Sequence, residues 1–176
     1  MGQSPRLSAR NPRAAAILDP ASYTAALILG DGTIIRGRGL GAKTTVVGEV
    51  CFNTAMSGYQ ETISDPSYAG QIITFTFPHI GNVGTNQEDV ETATPAARGV
   101  ILRAAITEPS NFRALEPLDR WLSDHGTPGI WGIDPRRLPR RLAALRRLTR
   151  GRLVVRQGTQ AADRAALGAQ SRKGRQ

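Results

Sequence analysis

Cysteine and histidine are nearly absent from this sequence, with one Cys and two His in 176 residues. A single thiol forms no internal disulfide, so a reducing compartment is expected and the cytoplasm is the assigned location. No CxxC pair or Cys/His cluster has the spacing of a zinc site, and no metal ligands are expected. Aromatic residues make up only 5%, which leaves Ile, Leu, Val and Ala to build the core. No run reaches the ~18 apolar residues of a membrane helix, so no membrane partner is expected.

Acidic residues are missing from the last quarter. Residues 1–134 carry 10 Lys+Arg against 13 Asp+Glu, a net of −3, whereas residues 135–176 carry 13 against the single Asp163, a net of +12. The overall +9 therefore describes the tail and not the body. Residues 1–20, with Arg6, Arg10 and Arg13 and no acid before Asp19, read as a loose arm. They are Ser- and Arg-containing like a transit peptide but lack its amphipathic repeat. Arg6 stands where a myristoylation site needs Ser or Thr.

Between these ends, residues 21–142 have the pattern of one strand-rich domain. Tyr23 to Leu29 and Thr33 to Arg38 are β-rich runs separated by Gly30-Asp31-Gly32, the pattern of a hairpin. Gly37 to Thr44 is one residue short of a phosphate-cradling loop. Ala42 replaces the Gly before Lys43-Thr44, and strand-like residues follow where a helix should open. A glycine-rich turn is the reading adopted. Val46–Phe52, Gln71–Phe77, Gly99–Ala105 and Ile130–Ile133 are strand-like, and Leu115, Leu118 and Leu122 have helical spacing up to His125-Gly126. Asn86 to Ala97, with three acids, reads as a surface connection. Asp134 and Pro135 suit the start of a helix, but Pro139 lies a turn too deep and costs about 3 kcal/mol there.

Three residue types invite a chemical reading. Cys51 sits in an apolar strand with no base beside it, so it is read as an inert core thiol. His79, next to Pro78 at a strand end, is read as a structural histidine. Ser67, in the turn Asp65-Pro66-Ser67-Tyr68, belongs to an accessible corner, because Asp-Pro favours turn initiation.

Four phrases carry a resemblance: GEVCFNTAMSGYQE from Gly48, DPSYAGQIITFTFPHIGNVGTN from Asp65, PSNFR from Pro109 and GIDPRRL from Gly132. In this order and spacing they resemble the N-terminal domain of the small subunit of glutamine-dependent carbamoyl phosphate synthetase. Several long phrases in register are more specific than any short motif. The likeness runs from about Tyr23 to Leu142. It implies a mixed α/β domain, of three-layer β/β/α swivelling type, where residue patterns alone give a strand-heavy α/β fold.

The resemblance also implies a function. The family's small subunit hydrolyses glutamine and passes ammonia to a large subunit, where ATP and Mg support carbamoyl phosphate synthesis for the arginine and pyrimidine pathways. The thiolate, histidine and carboxylate of that hydrolysis lie in a second, amidotransferase domain that this sequence is not expected to contain. No catalytic residue carries over. One glutamine-binding position does, the serine of the DPSY phrase, Ser67, and the large subunit is the expected partner.

Residues 143–176 are unlike the family, Arg-, Ala- and Gly-rich, and expected to be a disordered or irregular basic tail. The abrupt change near Leu142 suggests a reading-frame change or a premature end. An alternative from another class is sequence-blind nucleic-acid binding by this tail. It lacks interleaved aromatics and any recognised motif, so nucleic acid is not the expected partner. A basic amphipathic membrane helix over Arg136 to Arg152 is interrupted by Pro139 and Gly151.

From this reading the purified chain releases no glutamate from glutamine by itself, as a coupled glutamate assay would register. Unaided release, abolished by alkylating Cys51, would overturn it.

Overall fold

The computed structural model describes residues 23–107, 109, 114–134, 138 and 150–155. Its first strand, β1 (Ala25–Leu29), is buried at every position, as its apolar run requires. Asp31 turns the chain back by accepting the Thr33 N–H at 2.8 Å and the Thr33 hydroxyl at 2.6 Å. Gly32 supplies the positive φ of 88°. The antiparallel partner, β2 (Ile34–Gly41), sets Leu27 opposite Ile35. The hairpin expectation is met.

The expected glycine-rich turn over Gly37 to Thr44 is corrected: β2 runs on through Gly41, and the chain turns only there. The glycines serve close approach. A Cβ on Gly37 would come within 2.5 Å of the Trp131 carbonyl oxygen, so a bare backbone lets β2 lie against the strand that ends at Trp131.

Two β-α-β units follow. In the first, β3 (Thr45–Asn53) leads through α1 (Tyr59–Ser64) to the parallel strand β4 (Gln71–Phe75). In the second, β5 (Gly99–Leu102) leads through α2 (Leu118–Asp124) to the parallel strand β6 (Pro128–Trp131). β4 and β5 are parallel neighbours. A last strand, β7 (Arg150–Val155), pairs antiparallel with both β1 and β3. It closes the sheet into a barrel in the order β1-β2-β6-β5-β4-β3-β7. The domain boundary placed at residue 142 therefore stops short of the barrel's closing strand. Hydrogen-bond partners on both edges, which local composition does not encode, make a strand of this Arg- and Gly-rich segment.

Alternation along the central strands builds two cores. Ile72 of β4 and Ile101 of β5 turn inside the barrel, where they meet Leu27, Val50, Ile130 and Leu138. Their neighbours Ile73, Phe75, Val100 and Leu102 turn outward, under Ile63 of α1 and Leu118 and Leu122 of α2. Two β layers thus enclose the first core, and helices cover the second. This is the strand-heavy α/β fold with β/β/α layering that was expected.

The connection from Thr76 to Arg98 has almost no regular structure, yet it is tied down and is more than a surface link. The buried Gln60 side chain donates to the Asn86 carbonyl at 2.8 Å and accepts the Asn86 N–H at 3.0 Å. Ser64 accepts the Glu91 N–H at 2.9 Å, and the Ile63 carbonyl accepts from Ala96 and Ala97, both at 3.1 Å. Tyr59 donates its hydroxyl to the Gly84 carbonyl at 2.6 Å, and burial pushes its acidity well below that of a free phenol. Polar side chains and the Ile63 carbonyl on α1 thus replace the ladder that this segment lacks.

Among the described residues, the Thr74 hydroxyl, on the same face as Ile72, is fully buried without a hydrogen-bond partner. Thr74→Val is expected to raise unfolding free energy by about 1 kcal/mol, measured by urea titration. Gly129→Ala should lower it by about 2 kcal/mol, since the new Cβ would lie 2.4 Å from Leu40 Cδ1 and 2.7 Å from Val100 Cγ2. A Thr74→Val variant that loses stability would show that the hydroxyl is satisfied in solution.

Candidate functional site

Between α1 and β4 the chain makes a single 3-10 turn, Pro66–Tyr68, and Ser67 is its middle residue. Asp65 both ends α1 and starts this turn. Its N–H donates to the Glu61 carbonyl at 2.8 Å, and its carboxylate accepts the Ser67 N–H at 2.7 Å. Pro66, at the first position of the turn, has no N–H to leave unpaired. Tyr68 N–H donates to Asp65 O and Ala69 N–H to Pro66 O, both at 3.0 Å. Gly70, at φ 81°, then bends the chain into β4, and its carbonyl accepts the Glu49 N–H at 3.2 Å. Ser67 is exposed, and its hydroxyl makes no hydrogen bond among the described residues. It is therefore free to donate to, or accept from, a ligand.

The floor of this corner is Asn53, the last residue of β3. Its amide nitrogen lies 3.2 Å from the Tyr68 hydroxyl and 3.5 Å from Thr62 Oγ1. Its amide oxygen accepts the Ala55 N–H at 2.8 Å. The segment Thr54–Ser57 beyond it is exposed, with Met56 at 75%. Residue patterns did not single out Asn53. The available signal was an amide ending an apolar strand, just before a polar, exposed stretch.

The other chemically capable residues do not join this corner. Cys51 lies on β3, half-buried against the helix-side core. Burial raises its thiol from an ordinary 9.0 to about 11, and the nearby Glu49 charge adds to this. The inert-thiol reading fits that environment. His79 is exposed, its ring edge-on to Phe77 at 5.7 Å. The His125 ring meets the Trp121 carbonyl at 2.8 Å through Nδ1 and lies 4.8 Å from the Trp121 ring. Both histidines are engaged with neighbours that a structural role accounts for. Among the described residues no His/Cys/Asp/Glu group could hold a metal ion, and no helix is long and apolar enough to cross a membrane.

Two clefts, of about 420 and 540 Å³, lie on either side of Arg120 on α2. Ser67 lines neither; the structure brings it together with Asn53 and Tyr68. Pro135, where the expected helix begins after Asp134, and most of the basic tail fall outside the described residues.

The sequence model of the family "Carbamoyl-phosphate synthase small chain, CPSase domain" matches residues 27–149. The carbamoyl phosphate synthase small chain of Bradyrhizobium diazoefficiens is 66% identical over 119 residues, which cover 65% of this chain and 30% of that protein. The small chains of Rhizobium meliloti and Agrobacterium fabrum are each 62% identical over the same length and coverage. The chain thus spans about 30% of the length of these curated relatives.

The raised Cys51 pKa has a measurable consequence. At pH 8 a thiol titrating at about 11 rather than 9.0 is thiolate roughly 100-fold less often, so iodoacetamide labelling of the folded chain should be slower by about that factor than after unfolding. Because the folded chain disfavours the thiolate, this contribution to stability is complete below pH 9 and is lost as pH rises through about 11. Equal labelling rates in the folded and unfolded chain would contradict the assignment.

Proposed function

Because the chain belongs to the carbamoyl-phosphate synthase small chain family, we propose that it works as the N-terminal domain of that small chain, docking on the large subunit and lending Ser67 to the glutamine site. The observation that carries this reading is the match over residues 27–149, supported by 66% identity to a carbamoyl phosphate synthase small chain. The enzyme so assembled draws ammonia from glutamine and makes carbamoyl phosphate for the arginine and pyrimidine pathways in the cytoplasm. ATP and Mg belong to the large subunit.

What this chain's own residues contribute is binding and not bond cleavage. A side-chain hydroxyl on a turn held by Asp65 and Tyr68 can hydrogen-bond the polar groups of an amino acid with little loss of conformational freedom on binding. Cys51 lacks both a base and a lowered pKa, so the attacking thiolate of an amidotransferase has to come from another domain. One hydroxyl alone binds glutamine negligibly, and most of the affinity resides in the amidotransferase part of the site.

The test is co-purification with the large subunit, followed by kinetics of the assembled synthetase, made with a small chain in which an amidotransferase domain follows this one. The chain is expected to bind. Ser67→Ala should raise the glutamine KM roughly tenfold, the loss of about one hydrogen bond to a polar substrate, with ammonia-dependent synthesis unchanged. Failure to co-purify would overturn the docking role, and an unchanged KM would overturn the role of Ser67.

A further inference from the structure

We propose that Asn53 is the positioning residue of the glutamine corner: its side-chain amide holds the Pro66–Tyr68 turn against the end of β3 and so sets where the Ser67 hydroxyl stands. This rests on the reading of Ser67 as a glutamine contact. The case begins with proton bookkeeping. Thr62 Oγ1 donates to the Gly58 carbonyl at 2.7 Å, so toward Asn53 it can only accept. The group facing it at 3.5 Å must then be the amide N–H₂, and the amide oxygen is left to accept the Ala55 N–H at 2.8 Å. The second amide hydrogen reaches the Tyr68 hydroxyl, 3.2 Å away. Both ends of the amide are used, and its orientation is settled by its partners.

The backbone of the same residue continues the arrangement. The Asn53 carbonyl accepts the Thr76 N–H at 3.1 Å and the Thr76 hydroxyl at 3.3 Å. One residue thereby ties four pieces together: the exposed segment after β3, α1, the serine turn and the exit of β4. The turn needs such a tie. It is three residues long, too short to hold itself by its own hydrogen bonds. Pro66, Ser67, Ala69 and Gly70 are exposed, whereas Tyr68 is partly buried and packs against the helix-side core. The Tyr68 hydroxyl is where the turn meets the strand, so a loosened Asn53–Tyr68 contact moves the neighbouring Ser67 hydroxyl out of hydrogen-bonding range of its ligand.

The chemistry of the site separates the possible replacements. Alanine at 53 removes every side-chain tie. Aspartate keeps the acceptor for Ala55 and can take a hydrogen bond from the Tyr68 hydroxyl, so the turn stays attached, although the Thr62 contact is lost. Tyr68→Phe cuts the same tie from the other side and should copy Asn53→Ala.

Hydrogen exchange on the purified chain tests the tether without any ligand. In Asn53→Ala and in Tyr68→Phe the Tyr68 and Ala69 amides should exchange at least about fivefold faster, while Ile72 and Ile73 in β4 keep their rates and so report an intact barrel. The double variant should add nothing, and Asn53→Asp should recover most of the protection. Unchanged turn amides, or a β4 that loosens equally, would overturn the proposal. In the assembled synthetase, Asn53→Ala should raise the glutamine KM severalfold without changing ammonia-dependent turnover. It should add nothing once Ser67 is Ala, because the hydroxyl it positions is gone. If Ser67→Ala raises KM and Asn53→Ala does not, the positioning role falls and the Ser67 reading stands. If Ser67→Ala leaves KM unmoved, the Ser67 reading fails, and the positioning role falls with it even where exchange shows the tether.

Discussion

Strands β4 and β5 are buried on both faces, and the rest of the molecule is arranged to satisfy that condition. Ile72, Ile73, Phe75, Val100, Ile101 and Leu102 leave neither side of these strands fit for water. Parallel strands of this kind need cover above and below. On one side the sheet curls until β1, β2, β3 and β7 roof the inner core; on the other, α1, α2 and the segment after Phe75 lie over the outer one. Loss of either cover would expose a continuous aliphatic surface.

The same arrangement decides where chemistry can sit. The described residues of the inner core are buried and apolar, and the Thr74 hydroxyl is buried beside them. The Cys51 side chain belongs to the outer core, where desolvation suppresses the thiolate. What stays open are the corners at which the chain leaves β3 and enters β4. There Asp65, Gly70 and Asn53 hold an exposed serine on a short turn through hydrogen bonds of 2.7 to 3.2 Å. Such a corner, held in place before any ligand arrives, is what the proposed role would require.

Much of this was legible residue by residue. The Gly30-Asp31-Gly32 turn and the apolar run of β4 are local signals, and each appeared where expected; of the spaced leucines, Leu118 and Leu122 lie in α2, whereas Leu115 precedes the helix and is exposed. The serine turn was legible too, since Asp-Pro fixes backbone geometry within a few residues. The strand character of Gly37 to Gly41 was not. Glycine there marks a close approach to Trp131, and no local pattern distinguishes that from a turn. Nor was the packing of Asn86 to Ala97, whose polar residues satisfy α1 and not only solvent.

Sequence alone fixed most of the elements and the family resemblance, because alternation, capping and turn chemistry act over a few residues and long phrases retain their register. The tertiary structure alone decided that β7 closes the barrel and that Asn53 reaches Tyr68 fifteen residues away. Each of these depends on which backbone groups and side chains meet across the sheet. Such meetings follow from strand order, which no local stretch of sequence contains.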